Sequence, residues 1–89
     1  MRKLPDGTIL QFLATAPHTA EKDYPIVWLQ PFPNECLNVS VTCEAMTADP
    51  TSDNWYQLRS FTTSGAVINR QSSLVNNNPT RAHVMAIGY

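Results

Sequence analysis

The sequence has little charge, little glycine and only two cysteines, and these shortages exclude several classes of protein. Charged residues make up 15% of the chain, and six Lys and Arg are set against seven Asp and Glu. The longest cationic run is Arg2-Lys3. Because a nucleic-acid groove or an anionic membrane surface needs clustered cations, neither partner is expected. No run approaches the roughly 18 apolar residues of a membrane-spanning helix, and Pro5-Asp6-Gly7 interrupts the place of a signal peptide's apolar region.

The two cysteines do not provide the stabilisation that so short a chain needs. We expect 89 residues to form one domain, spanning residues 1–89, which buries only about two thirds of its unfolded surface. Oligomerisation, metals or disulfides often compensate. Cys36 and Cys43 lie in one predicted strand at an odd spacing, which predicts opposite faces about 23 Å apart and hence two small buried hydrophobes. A metal would need more ligands, and His18 and His83 are distant in sequence, so no metal or other cofactor is expected.

What the sequence does contain is a series of short strands. CLNVSVTC alternates apolar and polar side chains with the period of two that is typical of a half-buried strand. Only residues 14–22 could be considered helical, and Pro17 weakens that reading. The remaining strand-like segments are GTILQFL, YPIVWLQ, WYQLRSF, AVINRQ and AHVMAIGY. About six short strands at roughly ten-residue intervals predict an all-β fold, a small antiparallel β-sandwich.

Three of these segments carry further expectations. YPIVWLQ is apolar on both faces. One face carries Tyr24, Ile26 and Trp28, and the other carries Val27 and Leu29. Two apolar faces predict a central strand or one covered by a neighbouring subunit. The following PFPN is short enough for a hairpin-like link. The turn TTSG joins WYQLRSF to AVINRQ, and its Gly65 is available for positive φ. In WYQLRSF, strict alternation places Phe61 on the face of Trp55.

The chain ends on its most apolar run, VMAIGY, where most chains carry a polar, poorly ordered tail. Period two places Val84, Ala86 and Gly88 on one face of a final strand, where small side chains allow close approach of another sheet or subunit. The opposite face carries His83, Met85, Ile87 and Tyr89. The end of the chain is therefore expected to be a paired strand.

Three segments resemble the C-terminal domain at the distal end of bacteriophage tail fibres and of related prophage and tailocin fibres. LPDGTILQF resembles the family's opening strand, and DYPIVWLQPFPNECLNVSVT resembles its second conserved segment. TTSGAVINR and the terminal AIGY resemble its turn and its closing residues. The order is kept over nearly the whole chain, although Trp28 and Leu29 replace a Phe and a small residue, Ala66 replaces an aromatic, and His83-Val84-Met85 stands where an aromatic is common.

The resemblance implies a β-sandwich that assembles as a homotrimer at the fibre tip and attaches to a bacterial surface glycan or other host receptor. It also implies an upstream fibre shaft as a partner and a location in the virion or tailocin fibre, assembled in the host cytoplasm and acting outside the cell. The alternative is a structural module that trimerises or caps the fibre while recognition occurs elsewhere. The residues expected at a trimer or core interface are Tyr24, Ile26, Trp28, Met85, Ile87 and Tyr89.

Amides, aromatic rings and arginines in loop contexts are the candidates for receptor contact, because such groups hold neutral sugars. The set comprises Asn54, Trp55, Tyr56, Asn76, Asn77, Asn78 and Arg81. Each has a structural alternative: Trp55 could belong to the core or an interface, and three consecutive asparagines could form a tight turn. Arg59 and Arg70 are expected to be solvated or paired at a subunit seam.

No catalytic set is evident. The carboxylates occur in turns or at strand ends, and no spacing selects the pair that a glycosidase requires. There is no Ser-His-Asp pattern or glycine-rich phosphate loop. His83 lies between apolar residues and is expected to be packed with its ring nitrogen satisfied. The sequence therefore predicts a protein that is not an enzyme.

Overall fold

The computed structural model describes residues 1–47, 53–72 and 78–89, and these residues form two antiparallel β-sheets. The described residues contain no helix, and so none that is long and apolar enough to cross a membrane. The predicted all-β sandwich is confirmed. Its strands are β1 (Arg2–Lys3), β2 (Ile9–Ala14), β3 (Asp23–Val27), β4 (Cys36–Ala45), β5 (Asn54–Phe61), β6 (Gly65–Ser72) and β7 (Thr80–Gly88).

The first sheet has the strand order β1-β2-β7-β4, and the second has the order β3-β6-β5. The sheets share a hydrophobic core that lies between them. Trp28 Nε1 donates a hydrogen bond of 3.1 Å to the carbonyl of Thr62, which satisfies the indole in this core. The buried apolar residues are Ile9, Ile26, Trp28, Phe32, Cys36, Val39, Ala66, Ile68, Ala82, Val84 and Ala86.

The C-terminal run is the central strand of the first sheet, so the prediction of an ordered end is confirmed. Strand β7 pairs with β2 on one side and β4 on the other. Beyond it, the amides of Asn34 and Glu35 donate to the carbonyl of Tyr89 at 2.7 and 2.9 Å, and the Tyr89 amide donates back to Glu35. A Cβ at Gly88 would collide with the Glu35 carbonyl and the Phe32 ring. The small residue is needed for this close approach.

Strand β3 is an edge strand of the second sheet, so the prediction of a central strand is wrong. Its inward residue Ile26 and the following Trp28 are buried, whereas Val27 and Leu29 are 77% and 69% exposed. Pro25 lacks an amide hydrogen, which an edge strand tolerates better than a central one. The alternative, that another subunit covers Val27 and Leu29, stays a prediction.

Two β-bulges change faces that strict alternation had predicted. A register shift between Cys36 and Asn38 places Cys36 beside Gly88 on the inner face, the same face as Cys43. The expectation of opposite faces is therefore wrong, although both thiols are free and burial raises the pKa of each. A second shift between Leu58 and Ser60 turns Phe61 to the inner face, opposite Ala66 and away from the face of Trp55.

The two predicted turns also differ from expectation. PFPN does not close a hairpin, because it connects β3 in the second sheet to β4 in the first. Gly65 does not have positive φ, which among the described residues belongs to Gly7 alone. Gly65 is required for space instead: a Cβ there would collide with the carbonyl of Ile26 on the paired strand.

Candidate receptor-binding site

One end of the sandwich, which we call the loop end, is where β4 ends at Ala45, β5 begins at Asn54, β6 ends at Ser72 and β7 begins at Thr80. The segment before β3 reaches this end through an antiparallel bridge between His18 and Thr80. Because the sequence-predicted receptor residues border the same connections, the loop end is the first place to examine for a site.

A chain of hydrogen bonds crosses the loop end beneath its surface. The Tyr56 hydroxyl lies 3.0 Å from Nδ1 of His18 and 3.0 Å from Oγ1 of Thr80. Thr80 Oγ1 also accepts a bond of 2.9 Å from Nε of Arg70. Since an arginine can only donate, both hydroxyl donors are satisfied if Thr80 donates to Tyr56 and Tyr56 donates to a neutral His18. The His18 ring stacks on Tyr24 with centroids 3.6 Å apart.

Arg70 anchors this chain, and the prediction that it is solvated or paired at a seam is wrong. Its side chain is 0% exposed. Its second terminal nitrogen donates a bond of 2.6 Å to the carbonyl of Asn78, while the first has no hydrogen-bond partner. None of the described carboxylates forms an ion pair with it. Arg70 therefore fixes the start of β7 from below, as a buried cation held by neutral oxygens.

The buried charge affects the titration of its neighbours. Burial lowers the pKa of His18 below its ordinary value, and the nearby Arg70 and Lys22 cations lower it further. Burial raises the pKa of Tyr56, and its hydrogen bond to Thr80 opposes that shift. Both groups therefore remain neutral at physiological pH, as the direction of the hydrogen bonds requires.

The structure does not bring the sequence-predicted receptor residues together in one surface. Trp55 is 43% exposed and lies opposite Gln71, on the outer face of the second sheet. Tyr56 points inward to the hydrogen-bonded chain, which makes it a structural residue. Asn78 contributes its backbone carbonyl to Arg70, Asn54 is half-buried at the start of β5, and Asn76 and Asn77 lie outside the described residues.

Arg81 lies on the other sheet, where it belongs to a polar cluster that the sequence did not reveal. It pairs across strands with Glu44, and Glu44 Oε1 contacts Nε2 of His83. The hydrogen bond from His83 is the main cause of the lowered Glu44 pKa. Both side chains are about half exposed, so the prediction that His83 is packed is wrong, but its ring nitrogen is satisfied by Glu44 as predicted. Alternation along β7 points it outward, because Ala82 and Val84 face the core.

The six residues expected at a core or interface fall into two groups, three in or against the core and three on the outer surface. Ile26 and Trp28 are buried in the core of this chain, and Tyr24 packs against it. Met85 and Tyr89 are 41% and 44% exposed and Ile87 is partly exposed, all three on the outer side of the first sheet. The Tyr89 hydroxyl donates a bond of 3.2 Å to Glu35. For these three, an interface role stays a prediction.

The described residues expose polar and aromatic side chains. No three His, Cys, Asp or Glu side chains in the described ranges are grouped as metal ligands. The exposed groups are aromatic rings, hydroxyls, an imidazole–carboxylate pair and guanidinium groups. Groups of this kind orient a polar ligand through hydrogen bonds and stacking.

The described residues form a small all-β domain whose last strand, β7, is paired on both sides. The sequence matches the family described as tail fiber protein gp53-like, C-terminal, over residues 3–89, and the chain belongs to this family. The predicted resemblance to fibre C-terminal domains is therefore confirmed. No curated protein sequence matches the chain significantly.

Solved pyocin fibres have the same fold. The R1 pyocin fibre of P. aeruginosa matches with a TM-score of 0.80 and 26% identity over 94% of this chain and 24% of that chain. The R2 pyocin fibre of P. aeruginosa gives a TM-score of 0.73 and 26% identity over 94% of this chain and 21% of that one. An N-truncated R1-type pyocin tail fibre gives a TM-score of 0.78 at 24% identity, over 94% and 73%.

The chain therefore spans about a quarter of the length of the R1 fibre structure that it matches. The family and these structures are tail fibre proteins and not enzymes, in agreement with the prediction from sequence. The protein is a tail fibre C-terminal domain of phage or pyocin type.

Proposed function

We propose that this domain forms the tip of a phage or tailocin fibre and attaches the fibre to a glycan on the bacterial surface. The fibre family supports the location, and the surface chemistry supports the ligand class. Trp55 offers an exposed ring, and Arg81 borders the Glu44–His83 pair. The observation that carries the proposal is this mixture of half-exposed aromatic, imidazole and carboxylate groups with a partly buried guanidinium group on a rigid sheet scaffold.

The domain acts as a homotrimer joined to an upstream shaft. Val27 and Leu29 are the two most exposed of the large apolar side chains described. Val67, partly exposed, lies on the same outer face, opposite Pro25. Pro25, Val27, Leu29 and Val67 form an apolar patch, although Asp23 and Ser60 lie on the same side of the sheet. Such a patch suits contact with another copy of the chain better than contact with a sugar. We call this patch the apolar face of the second sheet.

Attachment is tested by applying the purified domain to an array of bacterial surface polysaccharides. Trp55→Ala and Arg81→Ala are compared separately with the wild type, since the two residues lie on different sheets. Leu37→Ala and Arg59→Ala are the matched controls, because both are exposed side chains outside the candidate surfaces. We expect at least one candidate variant to lose binding by tenfold or more while both controls keep it.

The second function is a structural one, in which the domain only caps and registers the fibre. The backbone hydrogen bonds between Tyr89 and residues 34 and 35 favour this structural function, because they stabilise the domain and contact no ligand surface. Under this alternative, the wild type binds no arrayed glycan, yet its assembly state changes when the apolar face of the second sheet is altered. Light scattering on the same samples distinguishes the two functions.

A further inference from the structure

The outer face of the first sheet contains a recess that the proposed function does not yet use. Three adjacent strands line it in two cross-strand rows. One row contains Phe12, Met85 and Ser40, and the next contains Ala14, His83 and Thr42. The recess has a volume of about 500 Å³, within the range of about 300 to 1,000 Å³ that small-ligand sites occupy.

The dimensions of the floor follow from sheet geometry. Neighbouring strands lie about 4.8 Å apart and alternate residues on one face about 6.8 Å apart along the strand. The two rows therefore span roughly 10 Å by 7 Å, which accommodates a single six-membered sugar ring lying flat. A larger apolar partner would extend beyond the rows onto the Glu44–His83 pair.

One side of the recess is apolar and the other carries hydroxyl groups. A sugar ring has the same division, with apolar C–H groups on its face and hydroxyls around its edge. Phe12 is 55% exposed and lies opposite the thioether of Met85, which gives an aromatic and apolar surface for the C–H face of a pyranose. Ser40 and Thr42 on β4 offer hydroxyls that both donate and accept. At the end of the rows, Glu44 accepts a bond from His83. As an ionised group, Glu44 can only accept hydrogen bonds, from sugar hydroxyls among others.

This mixed composition distinguishes the recess from the apolar face of the second sheet. Three of the six side chains in the two rows are polar, and covering them with an apolar protein surface would leave hydrogen-bonding groups without partners. The Glu44 carboxylate also repels a negatively charged sugar. Arg81, its cross-strand partner, compensates the charge of Glu44, so the surface does not attract cations strongly either. The chemistry of the recess therefore fits a neutral sugar with adjacent hydroxyls.

We infer that this recess is a binding subsite for a neutral pyranose unit, in which Phe12 stacks on the ring and Ser40, Thr42 and the Glu44–His83 pair bind its hydroxyls. The inference rests on the proposed glycan attachment and names the surface that performs it. It assigns Met85, which the sequence predicted at an interface, to the ligand site. Arg81 borders the same surface, which connects the subsite to one sequence-predicted receptor residue.

The experiment follows the methionine methyl groups of the full chain by NMR during titration with sugars. The probes are the methyl glycosides of glucose, galactose, mannose, rhamnose and N-acetylglucosamine, with methyl glucuronide as the acidic comparison. Met85 lies in the recess, while Met1 and Met46 are exposed elsewhere and serve as internal controls. We expect the Met85 signal to shift saturably with at least one neutral glycoside and to respond at least tenfold more weakly to the glucuronide.

Variants make the assignment specific. Phe12→Ala should weaken the Met85 response at least tenfold, and Thr42→Val, which keeps the side-chain shape, should weaken it severalfold. Leu37→Ala removes a comparably exposed apolar side chain that does not line the recess and should leave the response unchanged. Thermal unfolding of each variant shows whether it is folded.

Several outcomes would overturn the inference. One is a folded Phe12→Ala variant that binds as the wild type does, and another is a glycoside that shifts Met46 or Met1 but not Met85. Dissociation of the assembly by Phe12→Ala would show that this face is a subunit contact. If the polysaccharide array binds the wild type while no glycoside shifts Met85, the subsite is wrong and the proposed attachment stands. If the array binds nothing, the proposed attachment fails as well.

Discussion

At the scale of single residues, Arg70 is the most unusual side chain in the molecule. Fully buried arginines are rare without a carboxylate partner. Here the charge is held by the oxygens of Thr80 and Asn78, and none of the described acidic residues pairs with it. The sequence gives no sign of this, because Arg59 and Arg70 look alike as isolated arginines near the ends of predicted strands.

The two arginines should differ sharply when they are replaced. Arg70→Ala removes both anchors of β7 and leaves a cavity, so we expect a loss of roughly 2 to 4 kcal/mol in the free energy of unfolding. Arg59 pairs with Asp23 at 3.5 Å with both side chains more than half exposed, so Arg59→Ala should cost less than about 1 kcal/mol. Urea denaturation measures both. Equal losses would mean that Arg70 does not organise the loop end.

His18 should make the fold sensitive to acid. Burial and the neighbouring cations lower its pKa in the folded state, so the unfolded chain binds a proton more readily. Stability therefore declines as pH falls through the ordinary value of 6.5 and levels off below the folded pKa. His18→Gln, which can still accept from Tyr56, should flatten the decline in denaturation curves measured between pH 8 and about pH 5. His83→Gln is the control, and an equally flat profile for it would contradict the assignment.

At the scale of secondary-structure elements, β7 determines how the sandwich closes. It is paired on both sides, and the backbone of Tyr89 holds the segment that leads into β4. Its inner residues Val84, Ala86 and Gly88 decrease in size toward the point where Phe32 and Glu35 approach most closely. The family's closing residues are thus explained by packing.

Removal of the last two residues should destabilise the domain. Deleting Gly88 and Tyr89 breaks three backbone hydrogen bonds with residues 34 and 35 and exposes Phe32, so we expect a lower melting temperature by several degrees or more. Tyr89→Ala keeps the backbone bonds and should have a much smaller effect. Calorimetry compares the three proteins. A truncated chain that melts with the full-length one would show that the terminus is not part of the architecture.

The elements show how far the sequence could predict the fold. Strand positions and the ordered terminus followed from alternation and from turn residues, because those signals are local. The faces of Cys36 and Phe61 did not, because a bulge adds one unpaired residue and leaves no mark in the pattern of apolar side chains. The edge position of β3 and the crossover at PFPN depend on sheet order, which short-range patterns do not contain.

The candidate site was less predictable for a related reason. The sequence grouped Trp55, Tyr56 and Arg81 by their nearness to connections, but alternation and sheet order place them on an outer face, an inner face and the opposite sheet. The recess around Phe12 and Met85 combines strands that are far apart in the chain. The recess forms only because β2 and β4 both pair with β7.

At the scale of the whole molecule, the exposed surface divides into regions of different chemistry. The second sheet presents an apolar patch at Val27 and Leu29, and the first presents Phe12 beside hydroxyls and an imidazole–carboxylate pair. An apolar face suits a second copy of the chain, and a mixed face suits a sugar. We therefore propose that assembly and recognition use different sheets of this small domain.

Assembly should therefore depend on the second sheet. Val27→Asp combined with Leu29→Asp introduces charges into the proposed subunit contact, and we expect the trimer to dissociate to monomers in sedimentation equilibrium at micromolar concentration. Leu37→Asp, another exposed leucine, should leave the trimer intact. A wild-type protein that is a folded monomer under the same conditions would refute the proposed assembly.

The most direct measurement for the whole account is adsorption of the fluorescently labelled domain to a panel of bacterial strains, with and without periodate treatment of the cells. Periodate cleaves adjacent sugar hydroxyls and leaves most surface protein intact. The account predicts adsorption to at least one strain, lost after periodate and reduced at least tenfold by Phe12→Ala but not by Leu37→Ala. Adsorption that survives periodate, or that is absent from every strain while the trimer is intact, would contradict it.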